Sequence, residues 1–418
     1  MRLPTMVRIK QRFNTKPVQD IAATVRAELN RINLAKIIGK GQTVAITAGS
    51  RGITNLALVM RAVVGELRRI GAKPFIVPAM GSHGGATARG QKKILQHFGV
   101  TRNSMGVPIK SSMQVVQIGS TPDGIPVYLD RYASRADHIV VLNRVKPHTD
   151  FKGKIESGLM KIMAIGLGKQ KGADLCHNAI VRQGHYPVLT SVAQVILKKC
   201  PVAIGLALVE NQRDETEIIR AIPAADIEKT EEQLLRKAKR LLPQIPLDPI
   251  DLLIVDWMGK EISGTGMDQN VIGRTVISYH EPETKIDVLR LFVRDLTDDS
   301  EGNATAIGNA DFTTQRLVDK IDTQATYMNA FTSSCPEAVR IPPYFKTDRE
   351  VIKTALGTIG LVEPQNARIV HIRDTLHLEE MYISQSLHQE AENSEAISII
   401  GKPRPLKFGK DGNLVSDL

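Results

Sequence analysis

The sequence predicts an α/β protein of two domains, each built on a largely parallel sheet. Three observations carry that expectation. Short β-branched runs alternate with Gly-rich turns and amphipathic stretches from about residue 42 onward, the pattern of parallel strands covered by helices. At 418 residues, 42% of them hydrophobic, the chain is longer than a single core normally grows. A strongly patterned helix also ends at Pro243 and Pro246, just before a fresh strand pattern begins at Asp251. The boundary is therefore set near 245, giving an N-terminal domain over 1–245 and a C-terminal one over 246–418, with the last 30 residues free to cross back to the first.

Residues 42–47 (Q-T-V-A-I-T) read as a strand, followed by the turn A-G-S-R-G and a helix over 55–70 with Leu56, Val59, Val63 and Leu67 on one face. The unit repeats: F-I-V between Pro74 and Pro78 makes a second strand, and A-M-G-S-H-G-G-A-T opens onto a helix reaching about Phe98. A third strand is H-I-V-V-L-N (138–143), and a fourth falls at 201–208. The helix over 226–242 has acidic residues in its first turns and basic ones in its last, matching the helix dipole. In the C-terminal half, D-L-L-I-V-D-W runs into a second Gly-rich turn at 258–268. An acidic, Gly/Asn-rich segment (295–311) and a closing strand R-I-V-H-I-R (368–373) follow.

The formal charge of +11 favours anionic ligands. No aromatic RNA-binding signature, zinc-finger spacing or basic heptad stands behind it, so no nucleic-acid partner is expected. Cys176, Cys200 and Cys335 are odd in number, widely spaced and without C-x-x-C, which argues against a disulfide framework or an iron-sulfur cluster and for a reducing compartment. The opening M-R-L-P-T-M-V-R-I-K lacks the apolar stretch of a secretory signal, and no run reaches 18 apolar residues. A cytoplasmic protein with no membrane partner is expected.

The chemistry concentrates at predicted strand ends, where open α/β sheets place their ligands. Arg51, in A-G-S-R-G, can hold a carboxylate or phosphate with two parallel hydrogen bonds, or is a surface arginine after an ordinary turn. His83, in G-S-H-G-G, has the imidazole pKa suited to proton transfer and glycines that admit a substrate; the alternative is a turn histidine. His148 follows a proline that biases Lys146 towards extended backbone, projecting the histidine from the third strand's edge. Two imidazoles from neighbouring strand ends suit proton transfer on opposite faces of a substrate, and suit metal binding equally well.

Lys161, in S-G-L-M-K, is a nucleophile or covalent anchor if desolvated, and otherwise a snorkelling lysine. His177 is a metal-ligand candidate beside Cys176, which points elsewhere on a helix. His97, His185, His280, His371, His377 and His388 have no comparable setting and read as structural. No G-x-G-x-x-G follows the first strand, and G-L-G-K-Q-K-G (166–172) lacks the Ser or Thr of a phosphate loop.

Taken together, Arg51, His83, His148 in K-P-H-T-D-F-K-G, Lys161 and His177 resemble, in order and approximate separation, the functional positions of the nickel-dependent lactate racemase family. The resemblance implies two α/β domains with an active-site cleft between them and a nickel-pincer nucleotide, a pyridinium mononucleotide whose sulfur arms hold nickel. It further implies that Lys161 tethers this cofactor through a thioamide, His177 ligates nickel, His83 and His148 form the acid/base pair, and Arg51 orients the substrate. The implied reaction is racemisation or epimerisation of a small anionic 2-hydroxy acid, its Cα hydride passing to the pyridinium and returning on the opposite face. Proteins that make the cofactor are implied as transient partners.

The chain departs from the family pattern in two places. Ala48 stands where the family usually offers an aspartate, and K-G-K around Gly153 lengthens the interval from His148 to Lys161. Lys154 is the less favoured tether, because Lys161 keeps the family's spacing to His177. C-terminal substrate contacts fall among Lys260, Gln269 and Arg274, so a larger sugar acid is as good an expected substrate as lactate. Two other classes compete: a metal-assisted hydratase or dehydratase using the same histidines, and a non-catalytic nucleotide-binding or cofactor-handling protein.

Overall fold

A computed structural model describes residues 1–50, 52–149, 151–277 and 286–418. Its contacts divide the chain into two compact units, Thr15–His148 with Lys152–Leu242, and Met1–Asn14 with Thr149–Phe151 and Pro243–Leu418. The opening strand, β1 (Thr5–Gln11), belongs to the second of these.

In the first unit, β2 (Thr43–Ala48), β3 (Lys73–Pro78), β6 (His138–Arg144), β7 (Val202–Glu210) and β8 (Thr216–Pro223) form a five-stranded sheet in the order β3-β2-β6-β7-β8. The first four run parallel, and β8 closes the edge antiparallel to β7. Between β3 and β6, β4 (Val115–Ser120) and β5 (Pro126–Asp130) make a separate hairpin. Burial on both faces explains the continuous apolar strands. Along β2, Val44 and Ile46 enter a core shared with helices α1 (Ile21–Arg31) and α2 (Leu56–Arg69). Ala45 points the other way, into a core shared with α4 (Lys169–Gln183), α5 (His185–Lys199) and α6 (Ile227–Arg240). Helix α3 (Ala88–His97) follows the turn after β3 and is capped by the Thr87 hydroxyl, which accepts from Gly90 N. Gly205 in β7 is a close-approach glycine: a Cβ there would lie 2.5 Å from Leu159 Cδ1.

The second unit holds a six-stranded sheet in the order β10-β9-β13-β14-β1-β15. Here β9 (Ile250–Met258), β10 (Val288–Leu296) and β13 (Ile369–Ile372) are parallel. The remainder, β14 (Glu380–Ser384), β1 and β15 (Ile397–Pro405), is antiparallel. A two-stranded ladder of β11 (Thr313–Thr314) and β12 (Tyr344–Phe345) stands apart. The N-terminal 14 residues thus group with the C-terminal sheet, whereas a boundary drawn at 245 assigns them to the first domain. Alternation in T-M-V-R-I-K-Q marks a strand but carries no information about which strands it pairs with.

His371 Nε2 lies 2.6 Å from Asp256 Oδ1. Asp256 also meets Arg294, whose other side is paired with Asp348 at 2.7 Å. Burial alone would raise the Asp256 carboxyl, but His371 and Arg294, joined by the Ser416 hydroxyl, overcome it and hold its pKa at about 2. Asp256→Asn leaves Arg294 and His371 without this counter-charge in a buried site and is expected to destabilise this unit by about 3–5 kcal/mol. Urea denaturation followed by the fluorescence of Trp257, the chain's one tryptophan, measures the loss.

Candidate active site

The described candidates of the N-terminal half collect at the carboxyl ends of β3 and β6 and on the segments that follow them. Arg51, which follows β2 in the sequence, lies outside the described residues.

His83 is exposed, in the turn between β3 and α3. Its Nδ1 shares a hydrogen bond with the Ser50 hydroxyl, linking the turn after β2 to the turn after β3. The turn is held from below by Gln91 of α3, whose Nε2 donates to Gly81 O at 2.9 Å and to His83 O at 3.3 Å. Gln91 in turn accepts from Lys169 Nζ at 3.1 Å. Lys169 is wholly buried at the start of α4, in the left-handed region at φ 54°, and also bonds Pro78 O and pairs with the buried Asp130 at 3.2 Å. Burial pushes the Lys169 ammonium's pKa down, while Asp130 pulls it back up. The G-L-G-K run is thus no phosphate cradle: its lysine is spent inside the protein, fastening the His83 turn to the helix of His177.

His148 follows β6, and its backbone N donates to Glu156 Oε2 at 2.7 Å. Glu156 is buried; its Oε1 also accepts from Gly153 N at 3.2 Å and pairs with Lys239 of α6 at 2.8 Å. An antiparallel bridge between Lys146 and Ser157 closes the base of this loop. The K-G-K insertion lies within it: Lys152 donates to His148 O at 3.0 Å, and Lys154 is exposed. The His148 ring lies 5.9 Å from that of His185, tilted by 33°. Burial, then the positive charge of Lys161, and after it His185, Lys146 and Lys152, hold the His148 pKa well below the ordinary histidine value. The imidazole is therefore neutral near pH 7, the form that accepts a proton. Each of these cations disfavours the imidazolium, so Lys146→Met is expected to move the His148 pKa upward, as read by NMR titration of the ring.

Lys161 ends the short turn Leu159–Lys161, which continues as a π-helical turn over Ile162–Gly166. Such wide turns recur at functional sites. Asn143, at the end of β6, donates through Nδ2 to Gly158 O at 2.8 Å and so ties this turn to the strand. The π-turn also receives the His83 turn: Gly81 N donates to Gly166 O at 3.2 Å, and a Cβ on Gly166 would lie 2.6 Å from Ala79 O. His177 lies half-buried on α4, and a Cβ on Gly81 would touch Ala173 of the same helix at 3.3 Å. Cys176 is buried away from reaction chemistry, its thiol pushed up to about 12 by desolvation.

Among the described residues, no three His, Cys, Asp or Glu side chains gather around one point. Lys161, whose charge is felt by His148, fits a tether placed beside an acid/base group.

The C-terminal candidates lie in the other unit. Lys260 donates to Gly264 O at 2.8 Å, and Gln269 is buried. Arg274 is committed to Asp311 at 2.6 Å and to neighbouring carbonyls. Ala48 is a buried methyl in the core beneath β2.

A parallel sheet with imidazoles and a lysine at its carboxyl edge defines a class of α/β proteins that bind small ligands at strand ends. Residues 4–186 of the chain match the family model of the lactate racemase N-terminal domain. The whole fold resembles the lactate racemase apoprotein from Thermoanaerobacterium thermosaccharolyticum, at 15% identity and TM-score 0.53, over 89% of this chain and 98% of that one. It also resembles a crystal structure of a protein from Thermotoga maritima, at 13% identity and TM-score 0.54, over 85% and 97% of the two chains. No curated protein matches the sequence significantly. Among the described residues, no helix is long and apolar enough to cross a membrane.

Proposed function

We propose that this protein is a racemase or epimerase of 2-hydroxy acids that works with a nickel-pincer nucleotide. The observation that carries the reading is geometric: Gly81 N donates to Gly166 O, seating the His83 turn on the turn of Lys161, and Asn143 at the end of β6, the strand before His148, donates to Gly158 O of that same turn. Lys161 would hold the cofactor through a thioamide, and His177 would give its imidazole to nickel. When bound, the group supplies an electrophilic carbon that takes and returns a hydride.

The chain's own residues do the rest. His148, neutral at working pH, accepts the proton of the substrate's 2-hydroxyl; His83, from the end of β3 with β2 lying between it and β6, serves the opposite face. Arg51 pairs with the carboxylate, in keeping with a cationic group after a strand. The substrate is a small anionic 2-hydroxy acid, lactate-like or a larger sugar acid. We place the protein in the cytoplasm, meeting the proteins that build the cofactor only transiently.

Turnover of a panel of Cα-deuterated 2-hydroxy acids by cofactor-loaded protein tests this reading. Inverted product that retains the deuterium is expected, together with an adduct on Lys161 in intact mass spectra. Exchange of the hydroxyl oxygen with solvent, or loaded protein without an adduct, would overturn it.

A further inference from the structure

Helix α6 sends two side chains towards the site. Glu231 is wholly buried, and its Oε2 accepts from Met160 N at 2.9 Å, capping the turn that presents Lys161. The carboxyl lies flat against Gly158, where a Cβ would come within 2.2 Å of Oε1. With Asn143 holding Gly158 O from the strand side, the turn is clamped between β6 and α6. Two turns further along α6, Lys239 pairs with Glu156, whose other oxygen holds His148 N.

An ordinary helix start is capped by the residue just before it. Here that residue is Gly158, which has no side chain, and a carboxyl 71 positions away in sequence does the work instead. Burying a carboxyl is unfavourable, and desolvation pushes Glu231 up to about 8, so it is largely protonated at neutral pH. Among the described residues, its Oε1 meets no hydrogen-bond partner. A group retained in that state, against a backbone that leaves no room for a Cβ, is a spacer of fixed length between α6 and the Lys161 turn.

We propose that α6 is the positioning element of the active site, with Glu231 setting the place of Lys161 and the Lys239–Glu156 pair setting the place of His148. The proposal rests on the assignment of Lys161 as tether, but its test does not need the cofactor. Cofactor-free protein is treated with acetic anhydride, and the acetylation rate of each lysine is read by peptide mass spectrometry. Glu231→Leu is expected to change the Lys161 rate by about tenfold, in the range seen when residues supporting a site's ligands are replaced. Lys92 on α3 serves as the internal control and keeps its rate. Glu231→Gln, neutral and still an acceptor for Met160 N, restores the wild-type rate. A merely structural carboxyl would not distinguish these two folded variants.

Should Glu231→Leu fail to fold, Lys239→Met, on the accessible side of α6, carries the test. It is expected to speed hydrogen exchange at the His148 amide about tenfold. A folded Glu231→Leu with the wild-type Lys161 rate, or unchanged His148 exchange in Lys239→Met, overturns the proposal. Loaded wild-type protein without a Lys161 adduct overturns the functional assignment alone.

Discussion

His148→Gln is expected to lower racemisation by roughly 10²–10⁴-fold, the usual contribution of a positioned general acid or base, while the Lys161 adduct in intact mass spectra stays unchanged. Glutamine keeps the size and polarity of the side chain but cannot take a proton. Burial, Lys161 and the neighbouring cations hold the His148 pKa well below the ordinary value, which keeps the imidazole neutral at neutral pH. Protonation of His148 therefore sets an acid limb of kcat/KM lying at lower pH than a free histidine would give. Wild-type turnover by adducted His148→Gln would remove the residue from the mechanism.

Lys169→Met is expected to destabilise the first unit strongly. It leaves the Asp130 carboxylate buried without its ammonium partner and breaks the bonds to Pro78 O and Gln91. Stripping one member from such a pair costs about 3–5 kcal/mol, measurable as a lowered urea midpoint. Adding Asp130→Asn to this variant removes the stranded charge and is expected to recover most of that stability. It does not restore the Gln91 contact that holds Gly81 O and His83 O, so the double variant should fold well and still react poorly. Recovery of both stability and turnover would show that the Lys169 network has no bearing on His83.

The legible parts of the site were those where one residue type in a short local pattern implies one kind of chemistry. Glycines around His83, a proline before His148 and a lysine within S-G-L-M-K all mark backbone that brings a reactive group to a strand end. Ser50, Gln91, Asp130, Glu156, Lys169 and Glu231 carried no such mark. Their contacts run to residues 33 to 91 positions away, except for those that Asp130, Glu156 and Gln91 make close by in the sequence. A lone glutamate in a helix reads as a solvated face until the fold buries it. His185 likewise reads as structural, and only the fold brings its ring to within 5.9 Å of His148.

By itself, the sequence determined the βα alternation, the helices and the strand ends where the reactive groups stand, because hydrophobic period and turn chemistry act over a few residues. Tertiary structure alone decided that β1 joins the C-terminal sheet, that Lys169 is an internal fastener rather than an anion ligand, and that α6 backs both Lys161 and His148. Strand pairing and the burial of charge depend on partners far away in the chain, and those meet only when the cores close.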